Sequence, residues 1–417
     1  MNTGSPKRAI VIGAGLGGVG AAAALAAKGW QVTVFEKNAH VGGKLNLLQQ
    51  DGFSFDLGPS ILTMPQVFEQ LFARAGKRFA DYVELQSPRP HWRNFFEDGT
   101  VVNLYPSAAE TVAHTECLGP QDERDLERFL AYSRSLYTAC EPSYFTLGLD
   151  SVWEMVRHHG GIASLRSFDL MASMDTGVGR HVRHRHLREV LDFFVKYVGS
   201  SAFDAPAVLN LLAHVQSAFG LWYVKGGLYR LALALSQLLS DLGVDVRLEC
   251  EVAEMLRQDG RIAGVRLADG SRHEADVVVS NMEVVPAHRR LLGESERELR
   301  RFRRFEPACS GLVLHLGVDR EYPHLAHHNF FFSGNPREHF RSVFHKKQLP
   351  EDPTIYLVAP VRSDATQAPP GCENLKILPH IPHVQDPPFS AEQYHALKER
   401  VLDKLERMGL EGLRQHI

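Results

Sequence analysis

The chain is poor in cysteine: Cys117, Cys140, Cys250, Cys309 and Cys372 are its only five, and no two form a C-x-x-C pair. That spacing argues against a disulfide framework or a zinc ribbon and fits a reducing, cytoplasmic setting. It also lacks long apolar runs. None reaches about 18 residues, so no transmembrane helix is expected and any membrane contact would be peripheral. Asn2, Thr3 and Ser5 make the start polar, and glycines soon interrupt the apolar run after Arg8, unlike a secretory leader. Excess charge is missing too. A net charge of −3 gives no electrostatic reason to expect a nucleic-acid partner. No G-x-S-x-G, H-E-x-x-H or Walker sequence occurs, and there is no internal repeat.

What is present is an ordinary globular composition over 417 residues, enough for two or three domains at about 150 residues each. Arg8 to Ile12 reads as a short buried strand, Gly13 to Gly18 as a tight turn, and Val19 to Lys28 as an alanine-rich helix closed by Gly29. Gln31 to Glu36 follows as a second strand. Between the first strand and the helix, Gly13, Gly15 and Gly18 spell G-x-G-x-x-G, with Ala14 inside the turn. The first glycine allows the turn, the second admits a pyrophosphate, and the third lets helix and strand pack closely. The helix N-terminus offers free N–H groups to the phosphate. Glu36 ends the second strand where a carboxylate can accept both ribose hydroxyls and repel a 2′-phosphate. Lys37 adjoins it. Gly42, Gly43 and Lys44 resemble the second glycine pair and basic residue of glutathione-reductase-type FAD enzymes, which tilts the cofactor from NAD toward FAD.

Further along, Arg93 to Leu104 reads as a hairpin around Asp98-Gly99, and Ala108 to Leu221 as mostly helical, interrupted at Gly160, Gly161, Gly177 and Gly179. Leucines from Leu228 to Leu242 recur at helical spacing up to Gly243. Val244 to Leu248, a small meander turning at Asp259-Gly260 and Asp269-Gly270, and Val277 to Val279 return the chain to the first domain. Gly311 to Val318 and Thr354 to Val358 read as strands, Ala368 to Pro388 as a proline-rich loop, and the segment from Phe389 onward as an amphipathic helix.

Several separated segments resemble the bacterial phytoene desaturase family of carotenoid desaturases. They are Phe55-Asp56-Leu57-Gly58-Pro59-Ser60, Leu221 to Gly227, Val277 to Asn281, Tyr322 to Asn329 and Pro353 to Tyr356. The likeness runs from about Ala9 to His383. It implies an α/β fold: a Rossmann-like FAD-binding domain of glutathione-reductase type assembled from separated segments, plus an α+β substrate domain. The expected division is FAD-binding at 1–75 and 221–290, a mostly helical substrate and membrane-facing part at 76–220, and a substrate-domain return at 291–417. The resemblance implies an FAD-dependent desaturase of a lipophilic polyisoprenoid such as phytoene or 4,4′-diapophytoene. It also implies a cytoplasmic protein peripheral at the inner membrane, with oxygen or a quinone as electron acceptor. Gly58, Pro59 and Ser60 are candidates for backbone near the flavin, and Val252 for an adenine contact. Family members often carry arginine where Lys44 stands and Ala-Asp where Met282-Glu283 stand. They also continue to a glycine-rich strand–turn–helix over the flavin, which these 417 residues are expected to lack.

The chemistry belongs to the flavin, because no side chain accepts a hydride, and no catalytic base is identifiable. Val208 to Val224 reads equally as tunnel lining or as core. The arginines from Arg297 to Arg304 fit either a membrane-surface helix or a solvated face. His181, His184 and His186 stand among arginines, which favours a solvated basic helix over a metal site, and no metal is expected. Three alternatives remain open. One is a carotenoid isomerase, saturase or oxygenase. Another is a non-catalytic lipid binder on the scaffold of the Rab GDP-dissociation inhibitors. The third is an amine oxidase, for which no motif speaks.

Overall fold

The computed structural model describes residues 6–148, 151–161 and 167–417. Residues 1–5, which include the polar start, and residues 149–150 and 162–166 of the expected helical stretch lie outside the described residues. The chain divides into two compact units, Met1–Gln86 with Tyr223–Glu306 and Ser87–Trp222 with Pro307–Ile417. The sequence placed its boundaries after residues 75, 220 and 290. The first crossover lies later because Leu85–Gln86 pairs antiparallel with Tyr223–Val224.

The first unit is built on a four-stranded parallel sheet. Its order is Val277–Ser280, β1 (Arg8–Ile12), β2 (Gln31–Phe35) and Asp245–Arg247. Ala9 to Ile12 are all buried, as a parallel strand covered on both faces requires. Helix α1 (Leu16–Ala26) starts three residues before the expected Val19, because the glycine turn itself supplies its first turn. Gly18, Val19, Ala22 and Ala23 form its buried side, and their small size permits close approach to the sheet. Past its end Gly29 takes φ +83°, a left-handed conformation suited to glycine. The leucine repeat becomes the helix Tyr229–Asp241, with Leu231, Leu235, Leu238 and Leu239 buried. Its N-terminus is capped from a distance: the Asp56 carboxylate accepts from the Leu228 N–H at 2.8 Å and the Tyr229 N–H at 3.3 Å. The meander forms as expected from Val252–Gln258, Arg261–Leu267 and Arg272–Glu274.

The second unit holds a seven-stranded sheet. Its order is Ser310–Gly311, Glu373–Ile381, Ile355–Val358, His328–Phe331, Trp92–Phe95 and Val101–Leu104, with Leu314–Val318 also paired to Glu373–Ile381. One face packs Phe331, Ile355, Leu357, Leu375 and Ile377 against the helix Ala391–Arg407, which contributes Leu397, Val401 and Leu405. A Ser390–Gln393 capping box starts that helix.

Three expectations need correction. The stretch from Ala368 to Pro388 is not loop throughout: Glu373–Ile381 is the sheet's longest strand and pairs with three others. Pro379 stands within it and serves as an acceptor, its carbonyl taking the Leu312 N–H at 3.3 Å. Gly177 does not interrupt a helix but lies in one, Met174–Gly179, where it fits tightly against Asn210 and Tyr132, whereas Gly179 does end that helix. The arginines from Arg297 to Arg304 do not share one amphipathic helix. A turn of α-helix, Glu296–Leu299, passes into a 3-10 turn, Arg300–Arg304, with Leu299 inside and Arg301 paired to Glu294. Among the described residues no helix is long and apolar enough to cross a membrane.

Candidate dinucleotide site

At the carboxyl ends of β1 and β2 the first unit opens a cleft of about 740 Å³. Open α/β sheets bind their ligands at that edge. The turn after β1 is pinned on both sides. The Gly13 N–H donates to the Phe35 carbonyl at 2.8 Å, and the Asn281 N–H donates to the Ile12 carbonyl at 2.8 Å. Gly13 adopts φ +92°, which only glycine takes without strain. Gly18 lies directly under the turn. A Cβ there would stand 2.0 Å from the Gly13 carbonyl oxygen, so the third glycine of the fingerprint is a packing requirement.

Gly42 and Gly43 form the facing wall. The Gly42 N–H donates to the Ala14 carbonyl at 2.8 Å, and a Cβ on Gly43 would come 3.1 Å from the Gly15 Cα. The two glycine segments therefore touch backbone to backbone, leaving room for a pyrophosphate above them. No side chain caps α1, and its first turn has no acidic residue, so its N–H groups face the cleft with their partial positive charge intact.

Glu36 is only 5% exposed and is already engaged. Its Oε2 accepts from the Ala14 N–H at 2.7 Å, and its Oε1 accepts from the Asn38 N–H and the Asn38 side-chain amide, both at 2.8 Å. A carboxylate has about four acceptor positions, so one remains on Oε2, which suits one ribose hydroxyl and not two.

Of the residues marked in the sequence, Gly13, Gly15, Glu36, Lys37, Gly43, Lys44, Pro59 and Val252 come together on the cleft wall. Ala14 and Gly18 lie behind it and shape the turn. Gly58 sits behind Pro59, where a Cβ would strike the Lys44 carbonyl at 1.8 Å. Ser60 falls outside the wall. The sequence missed Asn281, whose side-chain amide lies over the turn, 2.9 Å from a Cβ placed on Gly15 and 2.7 Å from one on Gly17. It also missed Asn38, Cys250, Met282 and Arg290 on the same wall. Only the Ser280-Asn281 pair carried a signal, as the end of a family strand.

The remaining candidates go to structure. His186 is buried, stacked on Phe96 at 3.9 Å, and bridges Asp98 at 2.8 Å and Glu189 at 3.0 Å, which corrects the solvated-helix reading for this residue, while Arg183 and Arg185 beside it stay exposed. Among the described residues no group of three His, Cys, Asp or Glu side chains could hold a metal ion. In Val208 to Val224, Leu211, Ala213, Val215 and Leu221 are buried, while Phe219 and Trp222 are half-buried.

A glycine cradle at a helix N-terminus, with a buried carboxylate at the next strand end, defines a dinucleotide-binding protein. The model of the flavin containing amine oxidoreductase family matches residues 16–371. The chain belongs to that family, and it is an FAD-dependent oxidoreductase. It is 56% identical to a 4,4′-diapolycopene oxygenase of Methylomonas sp, across 100% of this chain and 84% of that protein. It is 49% identical to a 4,4′-diaponeurosporene oxygenase of Staphylococcus haemolyticus, across 99% of this chain and 82% of that one. Among solved structures it resembles a fatty acid isomerase from P. acnes that produces CLA, with a TM-score of 0.62 and 17% identity over 97% and 83% of the two chains. That likeness concerns the fold alone.

Proposed function

We propose that this chain is an FAD-dependent oxygenase acting on the end of a C30 carotenoid such as 4,4′-diapolycopene. The observation that carries the reading is the 56% identity maintained over the whole chain with a protein of that name. Both relatives' names favour the oxygenase alternative over the desaturation that the motifs put first. FAD supplies the redox chemistry when bound. The glycine turn and the α1 N-terminus would hold its pyrophosphate, Glu36 a ribose hydroxyl, and Val252 the wall beside the adenine. Lys44 and Arg290 line the same cleft and would supply positive charge to the phosphates.

The substrate dissolves only in lipid, so the protein would collect it at a membrane surface, with oxygen as co-substrate. Exposed Tyr144, Leu147, Trp153 and Met171, at 55–100% accessibility within one stretch of the second unit, support that reading. The test is to incubate the FAD-loaded protein with 4,4′-diapolycopene under air and, separately, with 4,4′-diapophytoene. Products that gain oxygen from the first uphold the proposal. Products of the second that only lose hydrogen, with the first untouched, return the assignment to desaturation.

A further inference from the structure

The seven-stranded sheet of the second unit has one apolar face, described above. Side chains alternate along a strand, so the opposite face carries His328, Phe330 and Tyr356, and Trp92 lies with them. Phe330 stacks on Tyr356 at 5.1 Å and tilts against Trp92 at the same spacing. Over these rings lies Lys196, from the short helix Phe193–Tyr197, with Nζ 3.7 Å from the Trp92 ring centre and 4.3 Å from that of Phe330. Among the described residues no atom accepts a hydrogen bond from this amine and no carboxylate pairs with it. The ring faces carry part of its charge, and burial holds its pKa well below the usual lysine range.

Further polar groups are left over beside it, Trp92 Nε1 among them. His328 meets the Tyr356 hydroxyl through Nδ1 at 2.8 Å, and its buried Nε2 has no partner. Burial keeps the Tyr356 hydroxyl protonated, so it donates to Nδ1 and leaves the proton of His328 on Nε2. The buried Nδ1 of His380 is also unpartnered. Each unpaired buried donor costs about 1–3 kcal/mol, so a purely structural core would not gather them beside a bare amine. On the same face Asn94 Oδ1 is a buried acceptor without a partner, so the set holds more free donors than acceptors, and aromatic rings wall it.

We propose that this face binds the oxygenated end of a polyene, with a terminal carbonyl oxygen accepting from Lys196 and His328 while the conjugated chain lies against the partly exposed rings of Tyr356 and Tyr197. The inference rests on the carotenoid reading above and deepens it. A hydrocarbon end offers no acceptor, so the site selects a chain that already carries oxygen and retains the product of a first oxidation.

The experiment compares two probes on the FAD-loaded full chain, a C30 polyene with one terminal aldehyde and its parent hydrocarbon. Binding is read by tryptophan quenching and by the visible band of the bound aldehyde. The wild type is expected to bind the aldehyde about tenfold more tightly than the hydrocarbon, the worth of one good hydrogen bond, and to shift its band to the red. Lys196→Met should abolish both the preference and the shift while hydrocarbon binding stays unchanged. Tyr356→Phe, which frees the His328 tautomer, should reduce the preference and serves if the lysine variant does not fold. Equal binding of both probes by the wild type overturns the proposal. So does an equal loss for both in Lys196→Met, which would make the lysine a packing residue. Oxygenation of the hydrocarbon is scored separately. A protein that prefers the aldehyde but never oxygenates the hydrocarbon keeps this site and loses the function proposed above, and the reverse result loses only this site.

Discussion

At the residue scale, the carboxylate of Glu36 carries two duties. It closes the glycine turn by accepting the Ala14 N–H, and it presents its remaining acceptor position to the cleft. Glu36→Gln exchanges one acceptor oxygen for an NH₂ group that must face either Ala14 N–H or the Asn38 donors. Hydrogen bonds to a charged group contribute about 1.5–3 kcal/mol each, so the variant should bind FAD at least about tenfold more weakly. Flavin fluorescence titration measures this directly, and unaltered affinity would remove Glu36 from the site. Gly18→Ala tests the packing claim separately. A methyl group 2.0 Å from the Gly13 carbonyl oxygen cannot be absorbed by a rotamer change, so the turn must move. The purified variant should emerge with little or no bound flavin, visible as a loss of yellow colour. Full flavin content would mean that the turn is more plastic than its geometry states.

At the element scale, the strand Glu373–Ile381 holds the second unit together by pairing with Ser310–Gly311, Leu314–Val318 and Ile355–Val358. Ile377 is fully buried in its middle, against the C-terminal helix. Ile377→Ala should cost about 2–5 kcal/mol, through lost transfer energy and the cavity left behind. A urea denaturation curve with the same slope and a lower midpoint is the expected result, and an unchanged midpoint would contradict the core described here. This strand was hidden in the sequence by its surroundings, because Pro369, Pro370, Pro379, Pro382, Pro387 and Pro388 signal loop on local grounds. Only tertiary pairing reveals that Leu375 and Ile377 are covered on a sheet. The elements around the nucleotide cleft were legible for the opposite reason. β1, the glycine turn, α1 and β2 are adjacent in sequence, so their geometry is a local property. Asn281 and Arg290 reach the same cleft from more than 200 residues away, and no local pattern marks such a return. Desaturation and oxygenation, likewise, differ in what surrounds the reacting carbon and not in how FAD is held, so the cofactor motifs could not separate them.

At the scale of the whole molecule, the second unit keeps an unusual number of histidines uncharged in its interior. Burial lowers His327 and His339 to about 3, and His91, His315 and His380 to about 4. Their ordinary value is 6.5, so as pH falls below it the unfolded chain takes up protons that the folded unit refuses. The stability they confer is complete above pH 6.5 and drains away toward pH 3–4. Asp192 works against this trend. Burial raises its carboxyl well above the usual range, so its proton favours the folded state as pH falls, but it is one group against five. Asp98, held at about 2 mainly by hydrogen bonds from Thr100, matters only below the window in question. Three of the buried histidines, His91, His327 and His339, should each lose about 1.4 kcal/mol between pH 7.5 and 5.5, roughly 4 kcal/mol together. That is a large part of the 5–15 kcal/mol typical of a folded domain. Urea unfolding followed by tryptophan fluorescence should therefore show a midpoint that falls steeply over this range, before carboxylates of ordinary pKa titrate. A midpoint independent of pH from 7.5 to 5.5 would mean that these imidazoles reach protons in the folded state, and that the interior of the sheet is open to water.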